Sequence, residues 1–259
     1  MIGVDRRPPD RQHTLPDGRS MDYSEYGAAD GYPVFWFHGL LSSKVEVLAA
    51  ADVIASEGLR VIAPNRPGYG LSTRARHGFT AVDWVHDVAG LADALGIGRF
   101  ALIAYSGASI YALAARAALS DRISRLCIVS GTAPSSMPRR HRGSAPATIV
   151  IDGLAGRLPW LARWLIGKSI ESARTSPTRF VEQRMRDLHS AADRAILGGP
   201  DGAFAFEAFL EAGRQGPAGI VDDLIIVTRS ACPPLGQGTS DVHLWHGDDD
   251  HAVPIAQGR

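Results

Sequence analysis

Ser106 is the residue in this chain whose surroundings best suit it to do chemistry. It lies within RFALIAYSGASIYALAAR, Arg99 to Arg116. Phe100 to Ala104 has no polar face and predicts a strand buried on both sides in a parallel sheet. Ala108 to Leu119 predicts an alanine-rich helix. Tyr105-Ser106-Gly107 leaves no room for a loop between them. A serine on so sharp a strand-to-helix turn is a nucleophile elbow. Its hydroxyl stands clear of the backbone, and the NH groups opening the helix, that of Gly107 first, face whatever it attacks. The usual pattern is G-x-S-x-G. Here it is Ala104-Tyr105-Ser106-Gly107-Ala108, with alanine where strand and helix backbones nearly touch. Alone, the same residues also fit an ordinary strand-turn-helix with a capping serine.

The elements that must position this serine alternate along the chain. Arg11 to Leu15 and Arg19 to Tyr26 flank Pro16-Asp17-Gly18 and predict a hairpin. Pro33 to Phe37 predicts a strand, Val45 to Ser56 a helix, Leu59 to Ala63 a buried strand and Ala81 to Leu95 an amphipathic helix. Ile123 to Ser130 predicts a strand, and so does Asp241 to His246. Strands alternating with helices imply a doubly wound, mostly parallel sheet of the α/β class. The rhythm stops between Ala133 and about Gly238. Four helices are expected there: Pro159 to Ile170, one opening at Ser176-Pro177, Asp201 to Arg214 and Pro217 to Arg229. Leu161, Trp164, Leu165 and Lys168 share one helix face, and the aromatic residues are read as core ahead of ligand contacts. The expected organisation is a loose lead at 1–10, a core at 11–133 and 239–259, and a helical insertion at 134–238.

The 259 residues are 45% hydrophobic and 21% charged, enough to bury a large core. Lys+Arg and Asp+Glu balance at 27 each, so no nucleic acid or acidic membrane surface is expected as a partner. Cys127 and Cys232 make no disulfide framework. The N-terminus lacks the apolar run of a signal peptide, and no stretch approaches a membrane span. A cytoplasmic location is expected.

Four motifs, each following a predicted strand, give the chain a family resemblance. They are His38-Gly39-Leu40-Leu41, Arg66-Pro67-Gly68-Tyr69-Gly70-Leu71-Ser72, the Ser106 elbow, and Gly247-x-x-Asp250-x-x-Val253-Pro254. Over roughly residues 12 to 259 the chain resembles the α/β-hydrolase superfamily, and within it the cap-bearing serine hydrolases of esterase and C–C hydrolase type. The resemblance implies an α/β-hydrolase fold with a helical cap and Ser106 as nucleophile. It implies oxyanion donors at the amides of Leu40 and Gly107, and Asp250 as the acid that orients a histidine. Leu41, Tyr105, Trp160 and Trp164 would line a site for a small to medium apolar ester, thioester, lactone or C–C substrate. No cofactor and no metal are expected. Haloalkane dehalogenases and epoxide hydrolases of this fold carry aspartate at the elbow, so serine argues against both. Gly68-Tyr69-Gly70 echoes a dinucleotide fingerprint, but no helix is predicted to follow it. Arg139-Arg140-His141-Arg142 is read as a solvated linker.

The triad order implied is serine, acid, histidine. A helix and a strand beyond the acid need about 25 residues, and only nine follow Asp250. His13, His77, His86 and His141 fall on predicted surfaces, His38 belongs to the loop beside the nucleophile, and His243 and His246 lie on the last strand. His251 adjoins the acid, and His189 lies in the insertion. None occupies the implied position. The expectation is a serine hydrolase whose last strand, helix and histidine lie outside these residues, so that the 259 residues are inactive as an esterase, poorly stable and prone to aggregate through Asp241 to His246. The alternative is an inactive homologue binding an apolar ligand or a protein partner.

Overall fold

The computed structural model describes residues 7–137, 141–144, 146–187, 190–231 and 241–258. Strands β1 (Arg11–Thr14) and β2 (Ser20–Gly27) form the expected hairpin. Its turn closes through the Leu15 amide on the Arg19 carbonyl at 2.8 Å. β3 (Tyr32–Phe37), β4 (Leu59–Pro64), β5 (Phe100–Tyr105), β6 (Ile123–Val129) and β7 (Asp241–Trp245) complete a sheet of order β1-β2-β4-β3-β5-β6-β7. β1 and β2 pair antiparallel, and every pairing from β4 to β7 is parallel. The predicted α/β class and mostly parallel sheet hold.

Continuous apolar runs follow from burial on both faces. Phe35, Phe37 and Ile62 point into one core cluster with Trp84, Leu91 and Tyr111. Their neighbours Val34, Val61 and Ala63 point to the opposite cluster with Val45 and Leu48. Helices α1 (Ala51–Ser56), α2 (Ala81–Ala94) and α3 (Ser109–Ala118) connect the strands. A 3-10 turn, Lys44–Ala50, replaces the first half of the helix expected at Val45 to Ser56. Thr80 and Asp83 cap α2 reciprocally, the Thr80 amide donating to Asp83 at 2.8 Å. No helix follows Gly68-Tyr69-Gly70 before Ala81.

Between β6 and β7 run α4 (Pro146–Arg157), α5 (Pro159–Thr175), α6 (Pro177–Asp187), α7 (Ala191–Leu197), α8 (Pro200–Ala212) and α9 (Ala218–Arg229). Four were expected; α4 and α7 are additional. The face of α5 differs from expectation. It buries Ala162, Ile166, Ile170 and Ala173, because small and β-branched residues let neighbouring helices approach. Leu165, Trp164 and Trp160 face solvent, the tryptophans 57% and 65% exposed. Phe204 and Ala208 of α8 reach the cluster beside β3 and β4.

The reading of residues 1–10 as a loose lead is corrected for its last four. Asp10 pairs with the fully buried Lys44 at 2.8 Å, and Arg7 pairs with Glu211 of α8 at 3.1 Å. Residues 1–6 lie outside the described residues, as do Arg139, Arg140, His189, Cys232 and the 239–240 boundary. No helix among the described residues is long and apolar enough to cross a membrane.

Candidate active site

The strand order reverses between β3 and β5. β3 leads to β4 on one side, and β4 leads back across β3 to β5. Crevices at such switch points, beyond the C-terminal strand ends, are where open α/β sheets bind ligands. Register sets Phe37 beside Ala104, Tyr105 beside Val129 and Val129 beside Trp245. The loops carrying Leu40, Ser106 and Asp250 therefore leave the same edge of the sheet. Asp250 follows β7, two strands from β5, or about 10 Å. A bridging group is needed to join it to Ser106.

Among the described residues three that are not glycine have positive φ: Leu41 at 59°, Ser106 at 54° and Ser130 at 47°. They follow β3, β5 and β6, the three strands around the switch point. Such conformations cost about 1–3 kcal/mol each and concentrate at functional sites. At Ser106 the strain is that of an elbow. Ala104 and Ala108 are fully buried, so the alanines fill the usual glycine positions without opening the turn. The Ser106 carbonyl accepts from the Thr132 amide at 3.3 Å, and Ser109 Oγ donates to the Thr132 carbonyl at 2.6 Å. These bonds tie the elbow to the loop after β6.

The loop after β3 lies directly on the elbow. A Cβ on Gly39 would stand 2.9 Å from the Tyr105 ring and 3.6 Å from Ser106 Cβ. One on Gly107 would stand 2.6 Å from Leu40 Cγ. Only glycine at both positions permits this approach. Leu40 packs against both the sheet core and the helical insertion, and Leu41 against the insertion. The structure thus brings together Leu40, Leu41, Tyr105, Ser106 and Gly107. Tyr105 is 42% exposed.

A buried polar network that sequence reasoning missed holds the β3 loop. Arg66 donates to the carbonyls of His38 at 2.5 Å and Gly39 at 3.0 Å. Its Nε pairs with Asp223 of α9 at 2.8 Å. Tyr69 and Tyr111 donate their hydroxyls to the same carboxylate at 2.7 and 2.5 Å. Gly68 meets Gly219 backbone to backbone, which lets α9 approach. Burial, then the neighbouring Asp223, holds both phenols well above their ordinary range. His38 is fully buried, with Nδ1 donating to the Gly39 carbonyl at 2.9 Å and Nε2 accepting the Arg66 amide at 3.2 Å. Burial and the Arg66 guanidinium keep it neutral, well below 6.5. It braces the loop. Glu46 accepts the Gly39 amide at 3.2 Å and Trp36 Nε1 at 2.5 Å, and burial raises its pKa. Two acids inside the apolar run Gly219 to Val227 were the sequence signal for this network.

Asp250 turns into its own loop. Its Oδ1 accepts the amides of Ala252 at 2.9 Å and Val253 at 2.8 Å. Its Oδ2 lies 3.7 Å from His246 Nε2, which donates to the Val253 carbonyl at 2.6 Å. Asp249 pairs with His251 at the surface. Among the described residues no histidine hydrogen-bonds to the Ser106 hydroxyl. Trp160 and Trp164 are exposed on the outer face of α5. Against the expectation of core they are exposed, because α5 turns its Ala162, Ile166, Ile170 and Ala173 face inward.

A family model described as alpha/beta hydrolase fold matches residues 32–259. The chain belongs to that family. It is 32% identical over 123 residues to a non-heme chloroperoxidase of Streptomyces lividans, covering 47% of this chain and 44% of the relative. It is 27% identical over 147 residues to a bifunctional esterase/perhydrolase of Acinetobacter calcoaceticus, covering 56% and 53%. The chain spans about half the length of the curated relatives it matches. An alpha/beta hydrolase fold protein from Nakamurella multipartita superposes with a TM-score of 0.68 at 24% identity, over 96% of this chain and 84% of that one. A Rhodococcus esterase gives 0.66 at 21%, over 96% and 84%. These structures share the α/β-hydrolase fold.

Proposed function

We propose that this α/β-hydrolase is a serine hydrolase acting on small to medium apolar esters, with thioester, lactone and C–C substrates as near variants. The observation that carries the reading is Ser106 at positive φ, with the Leu40 loop packed on the following Gly107. In this reading Ser106 Oγ attacks the acyl carbon and its proton passes to an imidazole oriented by Asp250. The amides of Leu40 and Gly107 hold the developing oxyanion, and each such donor is worth about 3 kcal/mol. The leaving alcohol takes the proton, and water then releases the acyl group from Ser106. Leu40, Leu41 and Tyr105 form the apolar wall, and the helical insertion serves as the cap. The similarity to an esterase/perhydrolase supports ester chemistry. No cofactor or metal enters the steps.

The test is a panel of p-nitrophenyl esters against the chain and Ser106→Ala. Hexanoate and benzoate should turn over faster than acetate, with the difference lost in the variant. Turnover that survives Ser106→Ala would defeat the reading. If the 259 residues hydrolyse esters at ordinary enzymic rates, His246, His251 and His189 are the bases to mutate. A second reading, a homologue that binds an apolar ligand or a partner without catalysis, is favoured by the lack of a described imidazole on Ser106. It predicts saturable ligand binding with no Ser106-dependent turnover.

A further inference from the structure

A cavity of about 630 Å³ lies away from Ser106, between the loop following β4 and helices α4, α5 and α9. Neither Ser106, Leu40 nor Asp250 lines it. Its floor is the Arg66–Asp223 pair with Tyr111, the far side of the network that grips the His38 and Gly39 carbonyls. Its apolar wall comes from Phe79, Ala155, Ile225 and Ile226. The volume suits a small organic molecule.

The charges in this cavity do not balance. Five arginines line it, against two carboxylates. Arg66 is matched by Asp223, and Arg76 by Asp83 just outside. Arg74 and Arg163 share one carboxylate, Asp222, at 2.5 and 3.2 Å. Arg229 donates to the Gly156 carbonyl and pairs with no carboxylate among the described residues. Among the described residues two guanidinium charges are thus left over at the solvent-facing rim of the cavity, where the Arg74 and Arg163 side chains are 48% and 41% exposed, beside the apolar wall. Arg163 Nε is also buried without a hydrogen-bond partner. A planar guanidinium fork matches carboxylate and phosphate oxygens two at a time.

We propose that this cavity is a second ligand site, taking an organic oxyanion: a carboxylate or phosphate monoester on an aryl or short acyl body. Arg163, Arg74 and Arg229 receive the oxyanion. Phe79, Ile225 and Ile226 cover the body. Asp222 sets the affinity by competing for the same two arginines. The site neither uses Ser106 nor depends on hydrolysis.

The test is calorimetric titration of the 259-residue chain carrying Ser106→Ala, which separates it from covalent chemistry at the elbow. Phenyl phosphate and benzoate distinguish the two oxyanions, and phenol and inorganic phosphate are single-feature controls. At least one aryl anion should bind one-to-one, more tightly than either control and more weakly as salt rises. Arg163→Ala and Arg74→Ala should each weaken it tenfold or more. Asp222→Asn should tighten it severalfold, a change in a direction that loss of folding cannot produce. No saturable binding of either aryl anion would overturn the proposal. So would equal binding by the arginine variants, or weaker binding by Asp222→Asn.

Discussion

The loops that follow β3 and β7 leave the same edge of the sheet, yet they are held in opposite ways. The β3 loop rests on groups far apart in sequence: Arg66 from the β4 loop, Asp223 from α9, Tyr111 from α3 and Glu46 from the 3-10 turn. All the polar partners of Arg66 and Asp223 are buried and satisfied, so the loop cannot shift without breaking several bonds at once. The loop after β7 is held by its own residues, Asp250 on the amides of Ala252 and Val253. The strand leading to it is exposed at every residue, with Leu244 at 57% and Trp245 at 67%. Ser106 and the candidate donors are therefore held by the core, while the Asp250 loop is fixed only locally. Preorganisation before the substrate arrives is what electrostatic stabilisation of a developing charge requires.

The largest expected effect breaks the first region. Asp223→Ala leaves the Arg66 guanidinium buried without a counter-charge and should cost about 3–5 kcal/mol of stability. Asp250→Ala, which removes two hydrogen bonds on a local loop, should cost about 1 kcal/mol. Urea unfolding of both variants measures the contrast, and equal losses would erase it.

Second in size is a test of the contact between the Leu40 loop and the elbow. In Gly107→Ala the new methyl meets Leu40 Cγ and displaces its amide, so fluorophosphonate reaction at Ser106 should slow about 10²-fold. In Gly247→Ala the methyl meets Asp250 Cβ at an ordinary 3.8 Å, and the rate should hold. Stopped-time labelling with mass detection compares the two.

A third prediction concerns pH. His38 is held neutral, its folded pKa depressed well below 6.5 by burial and Arg66. As pH falls below 6.5 the unfolded chain takes up a proton that the folded chain refuses. Its contribution is thus full above 6.5 and is lost on acidification, at up to about 1.4 kcal/mol per pH unit. Denaturant midpoints on both sides of 6.5 should show this slope, and His38→Gln should flatten it. An unchanged slope in the variant would assign it to other groups.

How much of this was legible in the sequence follows the same division. The elbow, the strand sequence and the hairpin are local patterns of period two, of turn residues and of small residues, and they were readable. The Arg66–Asp223 pair spans 157 positions, and no local pattern specifies it. The face of α5 was misread because the tryptophans drew the reading to their own side, whereas the side that packs inward combines two alanines with two isoleucines. α4 carries two glycines, Gly153 and Gly156, which weaken its helical signal. Asp10 looked like part of a charged lead because its partner, Lys44, lies across the fold.

The smallest effect on stability is expected at β7. Leu244→Lys and Trp245→Lys should change stability by no more than about 0.5 kcal/mol. A charge on an open edge nevertheless blocks strand-to-strand pairing. Light scattering after size exclusion should show a larger monomer fraction for both variants, and an unchanged fraction would place self-association elsewhere.

The central claim is that Ser106 stands preorganised against the Leu40 and Gly107 amides, whatever supplies the base. Removing a triad member leaves about 10³–10⁴-fold of catalysis over water from the oxyanion donors and binding, so selectivity is the decisive readout. The protein is treated with a fluorophosphonate probe and the modified peptide is identified by mass spectrometry. Label on Ser106 ahead of every other serine, and absent from Ser106→Ala, is the predicted result. Label on another serine, or equal labelling of Ser106→Ala, would contradict it.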